Sequence, residues 1–126
     1  MAANESAAVA SVRSLSTAET AYAATYPAIG YTCELSELGP PASGNPVSSL
    51  GAGIIDAVLA SGEKQGYLLS LSNCTGTPRS TYSSAAAPKT PGASGIRSFC
   101  SDASGVIWYA GDGTAATCRS AGLVLR

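Results

Sequence analysis

The residues of this chain that could do chemistry are few, and cysteines are the most prominent of them. The chain has 126 residues and no histidine, so it cannot form a Ser-His-Asp or a Cys-His catalytic unit. None of the cysteines belongs to a Cys-x-x-Cys pair, the spacing from which a four-cysteine zinc site usually takes its ligands. Two disulfides, and hence an oxidising compartment, are the preferred interpretation of the four cysteines, which are Cys33, Cys74, Cys100 and Cys118.

Four cysteines can pair in three ways. We favour Cys33 with Cys74 and Cys100 with Cys118, and a loop the size of the second stabilises a folded chain by about 3 kcal/mol in the chain-entropy model. An oxidised protein must be exported, but the sequence contains neither a signal peptide nor an apolar run long enough to span a membrane. We therefore expect a targeting segment that either lies upstream of residue 1 or is removed on maturation.

The lysine and aspartate side chains offer little further chemistry. A Ser-Lys pair would need Lys64 or Lys89, and both lie in turn-like segments without a catalytic motif. Asp102 and Asp112 lie in separate turns, and the loop around Asp112 lacks the clustered carboxylates of a charged calcium site. Solvated lysines and turn-forming aspartates are the simpler interpretation. The sequence therefore predicts no enzyme, no cofactor and no metal ion.

Composition narrows the remaining classes of function. The net charge is −1 and only 12% of residues are charged, so the chain lacks the basic surface of a nucleic-acid or anionic-membrane binder. Hydrophobic residues make up 45%, but much of that fraction is alanine. We expect a thin core in which covalent cross-links contribute to stability.

The first element is predicted to be one long helix over residues 2–26, which Pro27 ends. Glu19 lies inside the apolar stripe of this helix. We expect it at the edge of the stripe with its carboxylate in solvent, and the alternative is a buried or inter-subunit ion pair. The stripe itself recurs at helical spacing and consists of Ala8, Val12, Leu15, Tyr22 and Tyr26.

The rest of the chain divides into a connecting region, residues 27–65, and a sheet region, residues 66–126. The connecting region is predicted to hold one helical turn that stops at Gly39, and a short helix that Gly62 closes. In the sheet region the apolar period changes to two. The predicted strands are 67–72, 81–86, 96–101 and 106–110, followed by a tail that turns at 111–113 and is held by Cys118. The predicted fold is a single α+β domain, with a long helix packed on a small antiparallel sheet.

Two aromatic residues are candidates for a surface contact. Trp108 and Tyr109 are adjacent on a predicted strand, so their side chains point to opposite faces of the sheet. We expect one of them to pack under the helix and the other to be exposed, where it could contact a subunit or a ligand together with Asp112. A simple pair of one core and one surface residue fits the pattern equally well.

A family resemblance covers most of the chain in scattered blocks. The most specific block is residues 1–19, MAANESAAVASVRSLSTAE, which resembles the stretch just after the transmembrane segment in type IV pilins and type II secretion pseudopilins. Weaker matching blocks are residues 54–62, 66–67 and 97–107. The resemblance implies a pilin-like fold, in which the C-terminal half of a long helix packs on an antiparallel sheet.

The resemblance also implies an apolar half-helix upstream of residue 1. This segment would anchor the subunit in the bacterial inner membrane, be processed by a prepilin peptidase and methylated, and then pack in a filament core. The family's functional glutamate belongs to that segment, so Glu5 does not correspond to it. The Cys100–Cys118 loop resembles the surface-exposed, disulfide-bounded C-terminal region of pilins. Of the acidic calcium loop of major pseudopilins, this chain retains little beyond Asp102 and Asp112.

The leading hypothesis from the sequence is a non-catalytic subunit of a type IV pilus-like extracellular filament, whose partners are other copies of itself and related pilins. One alternative is a pseudopilin of a type II secretion system, acting in a short periplasmic filament that drives protein export. Another alternative is an adhesive or binding module of a pilus. No nucleic-acid partner is predicted, because the near-neutral charge offers few phosphate contacts.

Overall fold

The computed structural model describes residues 2–125, which form four helices and one six-stranded sheet. Helix α1 (Ala2–Thr25) has 24 residues. Two single-turn helices follow it, α2 (Leu35–Leu38) and α3 (Ala57–Ala60). The strands are β1 (Glu63–Lys64), β2 (Tyr67–Ser72), β3 (Ser83–Pro88), β4 (Ser98–Asp102), β5 (Ile107–Ala110) and β6 (Leu123–Val124), with helix α4 (Ala115–Ala121) between β5 and β6.

The sheet is an antiparallel meander, because each strand pairs with the next strand along the chain. The register places Phe99 opposite Tyr109 and Cys100 opposite Trp108. This arrangement confirms the predicted α+β class with a long helix and an antiparallel sheet. Tight turns join β1 to β2 at residues 65–66 and β4 to β5 at residues 103–106, whereas the other connections are longer and one of them contains α4.

The sheet has a helix on each face, and the side chains divide between the faces with a period of two. Phe99 and Ile107 belong to the main core, which the apolar side of α1 covers. Cys100 and Ala110 belong to a smaller buried cluster that also includes Cys118 of α4. The described part of the chain is thus arranged in three layers, with α1, the sheet and α4 in that order.

The apolar stripe predicted for α1 is the side that faces the sheet. Tyr26 is only partly buried, and the other four stripe residues are buried almost completely. The expectation for Glu19 is wrong, because this residue is 0% exposed and lies inside the core layer. It also forms no ion pair within the described residues. Its carboxylate instead accepts a hydrogen bond from a backbone N–H in the connecting region.

Three elements were not predicted, namely β1, α4 and β6. The two strands have two residues each, too short for a period of two to be visible. Residues 111–126 are predicted to be a tail held by Cys118, whereas α4 occupies the middle of this stretch. The predicted turn of helix before Gly39 and the strand 67–72 match α2 and β2. The other predicted strands are offset by one or two residues at their ends.

Candidate functional site

The candidate site lies on the sheet face that is turned away from α1. There the disulfide Cys100–Cys118 joins β4 to α4, and its two half-cystines are almost completely buried. Ala85 and Ala110 complete the buried cluster around it. Small side chains at these positions leave room for a helix to approach the sheet, so the disulfide and the alanines together place α4.

Side-chain hydrogen bonds hold the start of α4, in addition to the packing of Ala115 against the disulfide cluster. Asp112 accepts hydrogen bonds from the backbone N–H and the hydroxyl of Thr114, and from the hydroxyl of Thr117. These donors, chiefly the backbone N–H of Thr114, lower the pKa of the Asp112 carboxyl. Ser98 of β4 donates its hydroxyl to the carbonyl oxygen of Thr114, 2.7 Å away. Asp112 therefore serves as the turn former that the simpler interpretation of the sequence expected.

A cleft of about 360 Å³ opens beside the disulfide, between α4, the start of β3 and the end of β4. Its lining combines one aromatic ring with a carboxylate, a guanidinium, an amide and hydroxyl groups. Such a lining can form hydrogen bonds with a polar ligand while an apolar part of that ligand lies against the ring. The residues that line the cleft are Asn73, Ser83, Ser101, Asp102, Trp108, Arg119 and Ser120, with the disulfide and Gly122.

Trp108 and Tyr109 point to opposite faces as predicted, but neither is fully exposed. Trp108 is half-buried against the disulfide cluster and lines the cleft. Tyr109 is half-buried on the α1 side, where the guanidinium of Arg97 lies 5.3 Å from the centre of its ring. The structure therefore brings Trp108 together with Cys100 and Cys118, and it separates Tyr109 from them.

Two residues of the cleft that carry useful chemistry are not predicted from the sequence. Asn73 precedes Cys74 just after the end of β2, and Arg119 follows Cys118 in the unpredicted helix α4. Both are direct neighbours of half-cystines, which is the one sequence signal that could have pointed to them. Asp102 is predicted to form a turn, and it also lines the same cleft.

The second disulfide, Cys33–Cys74, holds the connecting region to the loop between β2 and β3. Backbone hydrogen bonds strengthen this attachment, because Arg79 donates to the carbonyl of Ile29 and Tyr31 donates to the carbonyl of Arg79. Gly30 lies between these bonds with φ +80°, and a Cβ at this position would come within 2.0 Å of the Arg79 carbonyl oxygen. Glycine is therefore required where the two segments meet.

The first turn of α1 is joined to the sheet by a cluster of charged and polar groups around Glu5. One carboxylate oxygen accepts the backbone N–H groups of Ile96 and Arg97, each 3.0 Å away. The other oxygen accepts the Arg97 guanidinium at 3.0 to 3.1 Å. Burial alone would raise the pKa of the Glu5 carboxyl, but these donors together outweigh burial and hold the pKa below its ordinary value of 4.5.

Within residues 2–125, no group of three or more histidine, cysteine, aspartate or glutamate side chains is placed to hold a metal ion. In the same part of the chain, no helix combines the length and the apolar character needed to cross a membrane. Comparisons of the chain with protein-family models, with curated proteins and with solved structures found no match.

Proposed function

We propose that this chain is a non-catalytic structural subunit of a type IV pilus-like extracellular filament. The observation that carries the proposal is the arrangement of α1, a helix of 24 residues whose apolar side covers one face of a meander sheet. Both ends of the helix are held to other segments, through Glu5 at the start and through the Tyr22 hydroxyl, which donates to the carbonyl of Ser49, near the end. Because the helix is held near both ends, a contact made at its N-terminal end fixes the position of the whole domain.

The exposed side of α1 is polar, and it includes Arg13, Ser14 and Thr17. In the proposed filament, this side and the sheet region face neighbouring subunits or the surroundings, while an apolar helical segment upstream of residue 1 packs in the filament core. That segment anchors the subunit in the inner membrane before a prepilin peptidase processes it. The two disulfides support the exported location, because such bonds persist in oxidising compartments.

The decisive experiment is to determine the native N-terminus of the protein isolated from its bacterium, by sequencing the gene and by mass spectrometry. We expect a short basic leader that has been removed, a methylated first residue, and an apolar run of about 20 residues before the helix. A conventional cleaved signal peptide, or a mature protein without an apolar segment, would contradict the proposal.

A second measurement separates a pilus from the pseudopilus alternative. Deletion of the gene is expected to remove filaments that an antibody against the chain labels on the cell surface in electron micrographs. Complementation with the intact gene serves as the control and should restore the filaments. Unchanged surface filaments together with lost export of secreted proteins would favour the pseudopilin role instead.

The cleft beside Trp108 favours a binding module as a second candidate function. Its lining offers hydrogen-bond donors and acceptors around one aromatic ring, which is the chemistry that polar, hydroxyl-rich ligands require. The test is a glycan array probed with the chain and with Trp108→Ala. Binding that is lost in the variant would support the adhesive role, and an array without hits would count against it.

A further inference from the structure

Glu19 is the most unusual ionisable residue of the described chain, because it is completely buried and incompletely paired. It lies in the sheet-facing side of α1 with 0% of its surface exposed. One carboxylate oxygen, Oε1, accepts the backbone N–H of Thr32 at 2.9 Å. The other, Oε2, is buried without a hydrogen-bond partner among the described residues. A buried carboxylate with a single hydrogen bond is costly, so the site favours the neutral acid.

The charged and titratable groups around Glu19 do not compensate for the free-energy cost of burying its ionised carboxylate. They are Tyr22 on α1, Glu37 on α2, and Arg79 and Tyr82 before β3. Burial is the largest influence and raises the pKa of Glu19 from 4.5 to about 7. The Thr32 N–H and the charge of Arg79 lower the pKa, while the negative charge of Glu37 raises it further.

The hydrogen bond to Thr32 attaches the start of the connecting region to the middle of α1. We call residues 27–38 the latch segment. Thr32 is itself 0% exposed, and its hydroxyl donates to the Glu37 carboxylate and accepts the backbone N–H of Glu34. Thr32 is therefore the point where the polar network of the latch segment meets the buried carboxyl. The Cys33–Cys74 disulfide keeps the segment attached to the loop between β2 and β3 when this contact opens.

We propose that Glu19 and the latch segment form a pH-sensitive device, in which ionisation of Glu19 releases the segment from α1. Release allows the ionised carboxylate to be hydrated, whereas the carboxylate is shielded from water while the segment is in contact with α1. In the closed state the latch segment contacts α1, and in the open state it is released. The direction of the pH dependence follows from proton linkage, since Glu19 binds a proton more tightly in the closed state than in the open state. The contact between the latch segment and α1 is most stable below pH 4.5, and its stability decreases progressively as the pH rises to about 7. All of these contacts lie within one chain, so the pH response does not depend on whether the protein forms filaments.

The test is hydrogen exchange of the latch segment as a function of pH, followed by mass spectrometry and corrected for the intrinsic chemical rate. From the two pKa values, we expect the opening equilibrium to increase roughly 70-fold between pH 5 and pH 8 in the wild type. Glu19→Gln keeps the shape and removes the ionisation, so its latch segment should show little pH dependence. Glu34→Gln removes an exposed carboxylate of the same segment, and this control should behave like the wild type.

Two outcomes would overturn the proposal. One is an equal pH dependence of latch-segment exchange in the wild type and in Glu19→Gln. The other needs no variant and stays decisive if Glu19→Gln does not fold. It is a carboxyl-carbon NMR titration of wild-type Glu19 whose midpoint lies near the ordinary glutamate value instead of near neutrality.

Discussion

The attachment of the first turn of α1 through Glu5 gives a prediction whose magnitude follows from its contacts. Glu5→Gln removes the charge and turns one acceptor oxygen into a donor group, which then faces either the two backbone N–H groups or the Arg97 guanidinium. Hydrogen bonds to a charged acceptor are each worth about 1.5 to 3 kcal/mol. The Glu5 side chain is 13% exposed and that of Arg97 is 39% exposed, so water replaces part of the loss and screens the ion pair.

We therefore expect Glu5→Gln to lower the free energy of unfolding by about 2 kcal/mol at pH 7. For a domain of this size, that corresponds to a decrease in melting temperature of about 8 °C. The assay is differential scanning calorimetry beside urea unfolding. Glu34→Gln is the matched control, because it removes an exposed glutamate charge and should change the melting temperature by about 2 °C or less.

The pH dependence provides the sharper test of the same reasoning. The folded-state pKa of Glu5 lies below its ordinary value, so its contribution to stability is complete above pH 4.5 and is lost as the pH falls through the folded pKa. The difference between wild type and Glu5→Gln should therefore shrink in acid. A melting temperature within 1 °C of wild type at pH 7, or a difference that stays constant into strong acid, would refute this account of the cluster.

Three further predictions address the other face and the core. Cys100→Ala combined with Cys118→Ala should lower the free energy of unfolding by about 3 kcal/mol, or the melting temperature by about 12 °C, in calorimetry; an unchanged value would mean that this disulfide does not stabilise the fold. Tyr67→Phe should cost about 1 kcal/mol in urea unfolding, because its buried hydroxyl donates a 2.6 Å hydrogen bond to a main-chain carbonyl. Asp112→Asn should lower the melting temperature at neutral pH, and the difference should disappear as the pH falls below the ordinary aspartate range.

The elements with a long, regular pattern could be predicted from the sequence. The apolar stripe predicted α1 to within one residue of its observed C-terminal end, and the alternation around residue 67 predicted β2. The disulfide pairing that we favoured is the one that the structure forms. Helix α4 could not be recognised in this way, because the packing of one half-cystine and small alanines holds it, and neither leaves an amphipathic stripe. The cleft depends on α4 and was therefore not predicted either.

The two glutamates of α1 show a property that could not be predicted from the sequence, namely the direction of their pKa shifts. Glu5 and Glu19 are the same residue type in the same helix, yet their pKa values are shifted in opposite directions. The partners of Glu5 are 91 and 92 residues away, and the stripe that contains Glu19 does not reveal how deeply the connecting region covers it. A periodic pattern identifies the side of a helix, but the number of donors that reach a carboxylate depends on segments brought together by the fold. The contribution of Glu5 to folding is consequently complete above pH 4.5, whereas that of Glu19 declines as the pH rises from 4.5 to about 7, so their combined contribution is most favourable near pH 4.5.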